Sequence, residues 1–172
     1  MGGNTRALSL TALYTTGAVV VLYLGMLFPA MSLSFAALAG LFTAAAVIEG
    51  GFSYGALCFI AAGILGLVLL PLRTGPILYA TFFGAYPLIK SFAERQQGRI
   101  LGWGIKFAAF FIVLTLYLTV LRALVAGAIP FADWAFYLIY LAGAIAFLVY
   151  DIGISKLIGF YLARIYKYRD GW

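Results

Sequence analysis

The chain is a succession of long apolar stretches separated by prolines, glycine pairs and isolated charges. An α-helix needs about 20 apolar residues to cross roughly 30 Å of hydrocarbon. Hydrophobic residues make up 66% of the 172 residues and charged residues only 9%. Soluble domains are about half apolar and about a quarter charged. The stretches therefore predict an all-α, polytopic integral membrane protein with a single transmembrane helical domain over residues 1–172.

Six stretches have the length and composition of membrane-spanning helices. Pro29 follows the first stretch, Glu49-Gly50-Gly51 follows the second, and Pro76 opens the fourth at a position where proline suits the first turn of a helix. The six predicted spans cover residues 8–28, 33–48, 54–70, 76–93, 104–126 and 133–154. Their connections are short, so no soluble domain is expected.

The basic residues predict the orientation of these spans. With six spans both termini lie on one side, and nine of the eleven Lys and Arg residues fall there, leaving only Arg73 and Arg122 on the other side. The nine are Arg6, Lys90, Arg95, Arg99, Lys106, Lys156, Arg164, Lys167 and Arg169. Because basic loops remain inside the cell, we expect a cell (plasma) membrane protein with both termini in the cytoplasm.

A basic amphipathic segment over residues 151–169 follows the last span. Its apolar residues recur at helical spacing, and four Lys and Arg residues accompany them. Such a segment can lie on anionic lipid, dock a cytoplasmic partner, or anchor the end of the helix by its cations. Membrane lipid is therefore an expected partner. Nucleic acid is not, because the basic residues flank apolar stretches.

The chemistry that the sequence lacks limits the function. There is no histidine, Cys58 is the only cysteine, and five carboxylates are spread over separate helix ends. The chain also lacks the Gly-x-x-x-x-Gly-Lys-[Ser/Thr] sequence of phosphate-binding loops. We therefore predict a protein that is not an enzyme and has no catalytic residues, metal site or cofactor. Active transport would require a partner ATPase or an ion gradient.

Ionisable groups inside a membrane are costly and are functional candidates. Asp151 shares a helix face with Tyr137 and Tyr140. This face is smaller and more polar than the opposite one, which favours a buried Asp151 paired with a Lys or Arg of the cytoplasmic loop. The alternative is an interfacial carboxylate at the end of the helix. Glu49 is expected to belong to a surface turn.

The fourth stretch carries a second set of intramembrane or gating candidates: Tyr86, Pro87 and Lys90. Tyr79 and Phe83 lie on the same helix face as Tyr86 and Lys90. Pro87 cannot donate a hydrogen bond to the carbonyl of Phe83, so a kink is predicted near the cytoplasmic leaflet. The face is either a binding or gating element, or an ordinary kink with a lysine that reaches the interface.

The outer side offers candidate ligand-binding residues. Arg73 and Arg122 are the two basic residues predicted there, and aromatic residues accompany them. The candidate set is Arg73, Tyr79, Arg122, Tyr137 and Tyr140, which could line a mouth for a small polar molecule. Interfacial Trp and Tyr also occur simply as the aromatic belt of membrane proteins.

Small residues recur every fourth position on two helices. Ala36, Gly40 and Ala44 do so on the second span, and Ala12 and Thr16 do so on the first. Such faces let helix backbones approach closely in lipid. They predict either packing inside the protein or contact with a helix of a partner subunit.

Three quoted stretches carry a resemblance to a known family: "RALSLTALYTTGAVVVLYL", "YATFFGAYPLIKSFAERQ" and "FLVYDIGISKLIGFYLARI". The plan resembles the membrane-embedded S components of energy-coupling factor transporters and similar small six-helix membrane proteins of bacteria. The resemblance implies capture of a small-molecule micronutrient, together with a transmembrane coupling subunit and ATPases as partners. Ala12 with Thr16 only partly matches the Ala-xxx-Ala signature of that family, and the connection at 29–32 is too short for a ligand lid.

Two other functions fit the same residues. One is a membrane scaffold or interaction protein of a cell-envelope complex, in which the basic tail and the loop after Lys90 bind a partner. The other is a small proton-linked transporter that uses Asp151.

Overall fold

A computed structural model of the protein describes residues 2–71, 74–95, 99–125, 133–161 and 163. Side chains are described at 5–71, 74–94, 101–119, 137–161 and 163. The described residues form helices and short connections and contain no strand. The predicted all-α class is therefore confirmed.

Seven α-helices account for most of the described residues. They are α1 (Gly2–Leu27), α2 (Ser32–Gly50), α3 (Phe52–Leu69), α4 (Thr74–Leu78), α5 (Tyr86–Arg95), α6 (Arg99–Val125) and α7 (Asp133–Tyr161). A 3₁₀ turn (Pro29–Met31) joins α1 to α2, and a π-helical turn (Tyr79–Phe83) follows α4.

The helix ends follow from proline and glycine. Pro29 begins the 3₁₀ turn two residues after α1 ends, where its missing N–H costs nothing. Gly51 alone separates α2 from α3 and has a φ of 86°, which glycine adopts without steric cost. Leu70 is extended at the end of α3 because Pro71 follows it and disfavours helical geometry in the preceding residue.

Within the part of the chain that the structure describes, five helices are long and apolar enough to cross a membrane. The candidate spans are Thr5–Leu27, Pro29–Gly50, Phe52–Leu69, Leu101–Thr119 and Tyr137–Tyr161. They are compatible with a multi-pass membrane protein. The fourth predicted span, residues 76–93, consists of the short helices α4 and α5 with the π-turn between them. Its passage through the membrane, and hence the count of six spans, stays a prediction.

The chain groups into two compact units. Unit 1 covers Met1–Phe107 and unit 2 covers Ala108–Trp172, so that α6 contributes to both. The single transmembrane domain over residues 1–172 stays a prediction. Helix α7 runs without interruption from Asp133 through Ile154, the end of the predicted span, to Tyr161. The rest of the predicted C-terminal segment, apart from residue 163, lies outside the described residues.

Small residues bring the helices of unit 1 close together. Its core consists of Ala18, Leu22, Ala36, Ala39, Ala62, Leu70 and Tyr79. A Cβ atom on Gly25 of α1 would lie 2.7 Å from Cβ of Phe35 of α2. A Cβ atom on Gly55 of α3 would overlap Val47 of α2. Glycine at these positions is therefore required by the close approach of the backbones.

Aromatic rings fill the contact between the helices of unit 2. Phe110 of α6 and Phe147 of α7 stack with their ring centroids 4.7 Å apart. Phe111 and Tyr140 form a second pair at 6.1 Å. Such pairs contribute roughly 0.5–1.5 kcal/mol beyond the area that they bury.

Candidate functional site

The fourth segment, residues 74–95, is the candidate site because its helix is interrupted inside unit 1. The backbone N–H of Gly84 donates to the carbonyl of Tyr79 at 2.7 Å, which makes the turn one residue wider than an α-helical turn. The N–H groups of Leu88 and Ile89 then both donate to the carbonyl of Ala85 at 3.1 Å. Wide turns of this kind occur frequently at functional sites.

Pro87 and Gly84 account for the interruption. Pro87 has no N–H, and in a regular helix its ring would collide with the carbonyl of Phe83. The wide turn precedes Pro87 and so avoids a continuous helix at this point. A Cβ atom on Gly84 would lie 2.7 Å from Cζ of Tyr79 and 2.8 Å from Cδ2 of Phe59. Position 84 therefore requires glycine, because the rings of Tyr79 and Phe59 lie beside it.

The interruption begins earlier than the sequence predicts. The expected kink lies at Pro87, whereas the structure breaks the helix from Tyr79 to Ala85 and begins α5 at Tyr86. Pro87 is therefore the second residue of α5, where the first N–H groups of a helix have no partner within it. Proline is well tolerated in this first turn.

Polar side chains converge on the start of the π-turn. The hydroxyl groups of Thr43 and Tyr79 share a hydrogen bond of 2.7 Å, and both residues are fully buried. The Cys58 thiol is buried close to Thr15 and Thr43. Thr15 also donates to the carbonyl of Thr11 at 2.9 Å. We call Thr15, Thr43, Cys58 and Tyr79 the polar cluster.

Two lysines meet one carboxylate at the other end of the segment. The Nζ atoms of Lys90 and Lys106 each lie 3.0 Å from Oε1 of Glu94. Lys106 Nζ also lies 5.4 Å from the ring centroid of Trp103, within cation–π distance. Both lysines are buried, whereas the Glu94 side chain is exposed. We call Lys90, Glu94 and Lys106 the lysine cluster.

The lysine cluster lowers the pKa of Glu94. Partial burial raises the pKa of this carboxyl, but hydrogen bonds from Lys90 and Lys106 and their positive charges lower it by more. Glu94 therefore remains a carboxylate to more acidic pH than an isolated glutamate.

A small cavity lies at the start of the segment. It has a volume of about 60 Å³ and is lined by Leu22, Met26, Pro29, Ser32, Thr74 and Gly75. Ser32 Oγ donates to the carbonyl of Pro29 at 2.8 Å. The cavity has room for a few water molecules, whereas pockets for drug-sized ligands measure about 300–1,000 Å³.

The structure places the predicted ligand-binding residues in different units. Tyr79 is fully buried in unit 1. Tyr137 of unit 2 is 78% exposed, and Tyr140 shares a 2.9 Å hydrogen bond with Thr115. Arg73 lies outside the described residues, as does the side chain of Arg122. A common ligand site for these five residues stays a prediction.

The predicted gating residues are buried. Tyr86 is completely buried, Pro87 is buried, and Lys90 and Asp151 are each 3% exposed. Tyr86, Pro87 and Lys90 belong to α5 in unit 1, and Asp151 belongs to α7 in unit 2. Ser155 Oγ donates to the backbone carbonyl of Asp151 at 2.7 Å. Asp151 is buried in unit 2, and its position relative to the membrane interface and its role in gating stay predictions.

The two predicted partner-contact faces differ in exposure. Ala12 and Thr16 are exposed on α1, and the Thr16 hydroxyl donates to the carbonyl of Ala12 within the helix at 2.9 Å. Ala36, Gly40 and Ala44 are buried in unit 1. Of the two faces, only that of α1 is open to another helix in this conformation.

Of the seven residues in the two clusters, the sequence marks only Tyr79 and Lys90 as candidate site residues, and Thr43 and Lys106 are among those that it missed. Thr43 precedes three alanines in the apolar second half of α2, and only its hydroxyl in this apolar stretch distinguishes it. In the sequence Lys106 only indicates the orientation of the spans. Its contact with Glu94, twelve residues earlier, crosses the connection between two helices. Burying a hydroxyl without a hydrogen bond costs free energy, so Thr43 could have been expected to have a hydrogen-bond partner.

No protein-family model matches the chain, and no significant match exists among the curated proteins or the solved structures. Among the described residues, no three His, Cys, Asp or Glu side chains are grouped so that they could hold a metal ion. Among the described residues, the interrupted fourth segment is the feature that points to a function.

Proposed function

We propose that the protein is a non-enzymatic membrane transport component that captures a small-molecule micronutrient. The observation that carries the proposal is the interrupted fourth segment, with the polar cluster at its π-turn and the cavity at the start of α4. Transport proteins form their substrate sites at interrupted helices because the break frees backbone polar groups and makes room for a ligand. The ligand would enter near Thr74 and Gly75 and displace α4, since the cavity is small.

In this proposal the chain works like an S component. A transmembrane coupling subunit would contact the exposed α1 face of Ala12 and Thr16, and ATPases would supply the energy. The orientation with both termini in the cytoplasm of a bacterial cell belongs to the same proposal. It requires the fourth segment to cross the membrane, because five spans would put the two termini on opposite sides.

Retention of a ligand by the purified protein tests the capture step. Native mass spectrometry in detergent should detect a small molecule of defined mass bound to the chain. Gly75→Leu should abolish this adduct because the added side chain fills the cavity. Gly104→Leu is the matched control, since a Cβ atom at Gly104 meets nothing within 4 Å. Equal retention of the ligand by both variants would show that the ligand does not bind in this cavity.

A panel of micronutrients covers the case in which purification strips the ligand. A compound that raises the melting temperature of the protein, and does not do so for Gly75→Leu, supports capture. If the chain is repeatedly empty and no compound shifts its melting temperature, the capture function is wrong. Recovery of cell-envelope proteins instead of a coupling subunit and ATPases in a pull-down would then favour the scaffold alternative.

Asp151 supports a second candidate, a proton-linked transporter. Its side chain is 3% exposed within the apolar helix α7, and buried carboxylates in membrane helices often carry protons. In proteoliposomes with a pH gradient, Asp151→Asn should abolish substrate uptake while leaving the melting temperature close to that of the wild type. Ser155→Ala is the control, because it removes a hydrogen bond to the backbone carbonyl of Asp151 and leaves the side-chain carboxyl in place. Unchanged uptake in Asp151→Asn would exclude the proton-carrier role.

A further inference from the structure

We propose that the fourth segment is a two-state element in which the π-turn Tyr79–Phe83 converts to α-helical geometry and rotates α5. The hydrogen bond between Tyr79 and Thr43 holds the observed state. The conversion would break the contact between Glu94 and Lys106 at the far end of the segment. This inference rests on the proposed function in one respect, since it takes the fourth segment to be the substrate site. Its test needs no ligand.

Pro87 makes two arrangements of the segment possible. A helix that contains proline avoids the collision with the preceding carbonyl either by a wide turn or by a kink. The observed state has the wide turn, closed by the 2.7 Å bond from Gly84 to Tyr79. The alternative state would have an α-helical turn at Tyr79–Phe83 and a kink at Pro87. Gly84, which has no Cβ atom, is the point at which the backbone would change.

The Tyr79 side chain stabilises the wide turn. Tyr79 is the first residue of the turn, its hydroxyl is held by Thr43, and its ring lies 6.1 Å from that of Phe59. The same ring fills the space beside Gly84. Loss of the bond to Thr43, or competition from a ligand for either hydroxyl, would therefore favour the alternative state.

Conversion has a defined effect on α5. An α-helical turn contains one residue fewer than the π-turn, so conversion moves every residue of α5 forward by one helical position. This rotates α5 by about 100° and shifts it along its axis by about 1.5 Å. Each residue of α5 then takes the direction that its successor has in the observed state. Ala93 would take the place of Glu94, and Lys106 would lose its carboxylate partner Glu94 Oε1, now 3.0 Å away. The polar cluster and the lysine cluster are coupled in this way.

The rotation predicts a reciprocal change in exposure at two neighbouring residues. Phe92 is 53% exposed and Ala93 is 1% exposed in the observed state. After rotation a side chain at 92 would take the buried direction of Ala93, and one at 93 would take the exposed direction of Glu94. A cysteine at either position reports this through its rate of reaction with a water-soluble maleimide. Native Cys58 is fully buried and stays in place as an internal measure of unfolding.

The experiment compares Phe92→Cys and Ala93→Cys in the full, ligand-free chain. The reaction at 92 should be the faster one. Adding Thr43→Val should lower the ratio of the two rates about five-fold, the shift expected for the loss of one hydrogen bond. Pro87→Ala should lower it as well, because a regular helix then becomes possible. Thr16→Val is the matched control, since its hydroxyl bonds only within α1.

Three results decide the inference. Opposite changes at the two positions, with Cys58 still protected, support it. An unchanged ratio in both Thr43→Val and Pro87→Ala overturns it, as does a parallel rise at 92, 93 and Cys58, which indicates local unfolding. If Thr43→Val does not fold, Tyr79→Phe removes the same hydrogen bond and takes its place. A retained ligand together with an unchanged ratio would overturn this inference and leave the proposed function intact.

Discussion

Each unit contains a hydrogen bond between a threonine and a tyrosine on neighbouring elements, but the surroundings of the two bonds differ. In unit 1 the Thr43–Tyr79 bond is 2.7 Å long, and both residues are fully buried. In unit 2 the Thr115–Tyr140 bond is 2.9 Å long and exposed. The same kind of hydrogen bond therefore occurs once in the interior of unit 1 and once at the surface of unit 2.

The difference extends to how each unit holds its helices. Glycine and alanine let the helices of unit 1 approach closely, and this leaves room for few polar side chains, each of which must find a partner. In unit 2, phenylalanine rings separate α6 and α7. We infer that unit 1 depends on backbone contact and buried hydrogen bonds, and that unit 2 depends on aromatic packing.

The largest expected effect tests the dependence of unit 2 on its rings. Phe147→Ala removes a buried ring that stacks on Phe110 and should lower the free energy of unfolding by about 3 kcal/mol. Titration with denaturing detergent, followed by circular dichroism, measures this change. Ile145→Ala is the control, because Ile145 is exposed on the same helix. Equal losses in the two variants would contradict the role of aromatic packing.

Glycine substitutions test the close approach in unit 1. Gly55→Ala should lower the free energy of unfolding by about 1–3 kcal/mol because its Cβ atom would overlap Val47. Gly153→Ala in unit 2 meets nothing within 4 Å and should raise stability by up to about 1 kcal/mol through better helix propensity. The same measurement serves both variants. A stabilising Gly55→Ala would show that the backbones do not approach as closely as described.

The two hydroxyl pairs give a smaller effect and a sharper comparison. Thr43→Val leaves the buried Tyr79 hydroxyl without a partner and should cost about 1–2 kcal/mol. Thr115→Val should cost about 0.5 kcal/mol or less, because Tyr140 lies close to the beginning of its candidate span Tyr137–Tyr161, where groups of the membrane interface can replace Thr115. Melting temperatures of the two variants test the difference. A larger loss in Thr115→Val would reverse the comparison.

The smallest effect is the pH dependence of the lysine cluster. The pKa of Glu94 is lowered in the folded protein, so its contribution to stability is present above the ordinary glutamate pKa of about 4.3. That contribution is lost as the pH falls through the lowered value. Glu94→Gln should therefore reduce the acid sensitivity of the melting temperature below about pH 4.3. An identical pH profile in the variant and the wild type would argue against this carboxylate as the source.

The local features of the fold were predictable from the sequence, and the contacts between distant residues were not. The turn at Gly51 and the interruption before Pro87 follow from local backbone chemistry that any reader of the sequence can apply. The pairing of Tyr79, where the break begins, with Thr43 was not predictable, because no local pattern connects residues on two different helical segments.

The candidate site shows the same division. Buried Lys90 has Glu94 as its ion-pair partner, and Glu94 also contacts Lys106. No periodic pattern in the sequence predicts the contact between Glu94 and Lys106. The face of Ala36, Gly40 and Ala44 was recognisable as a contact surface. The sequence left open whether it packs inside the protein or against a partner subunit, and the structure buries it inside unit 1.

The single residue between α2 and α3 has a consequence for how the chain would enter a membrane. Gly51 turns the backbone so sharply that Phe52 already begins the next helix. In the proposed orientation this turn lies on the cytoplasmic side, and its single residue keeps the end of α2 beside the start of α3. The pair would enter the membrane together as a preformed hairpin during synthesis.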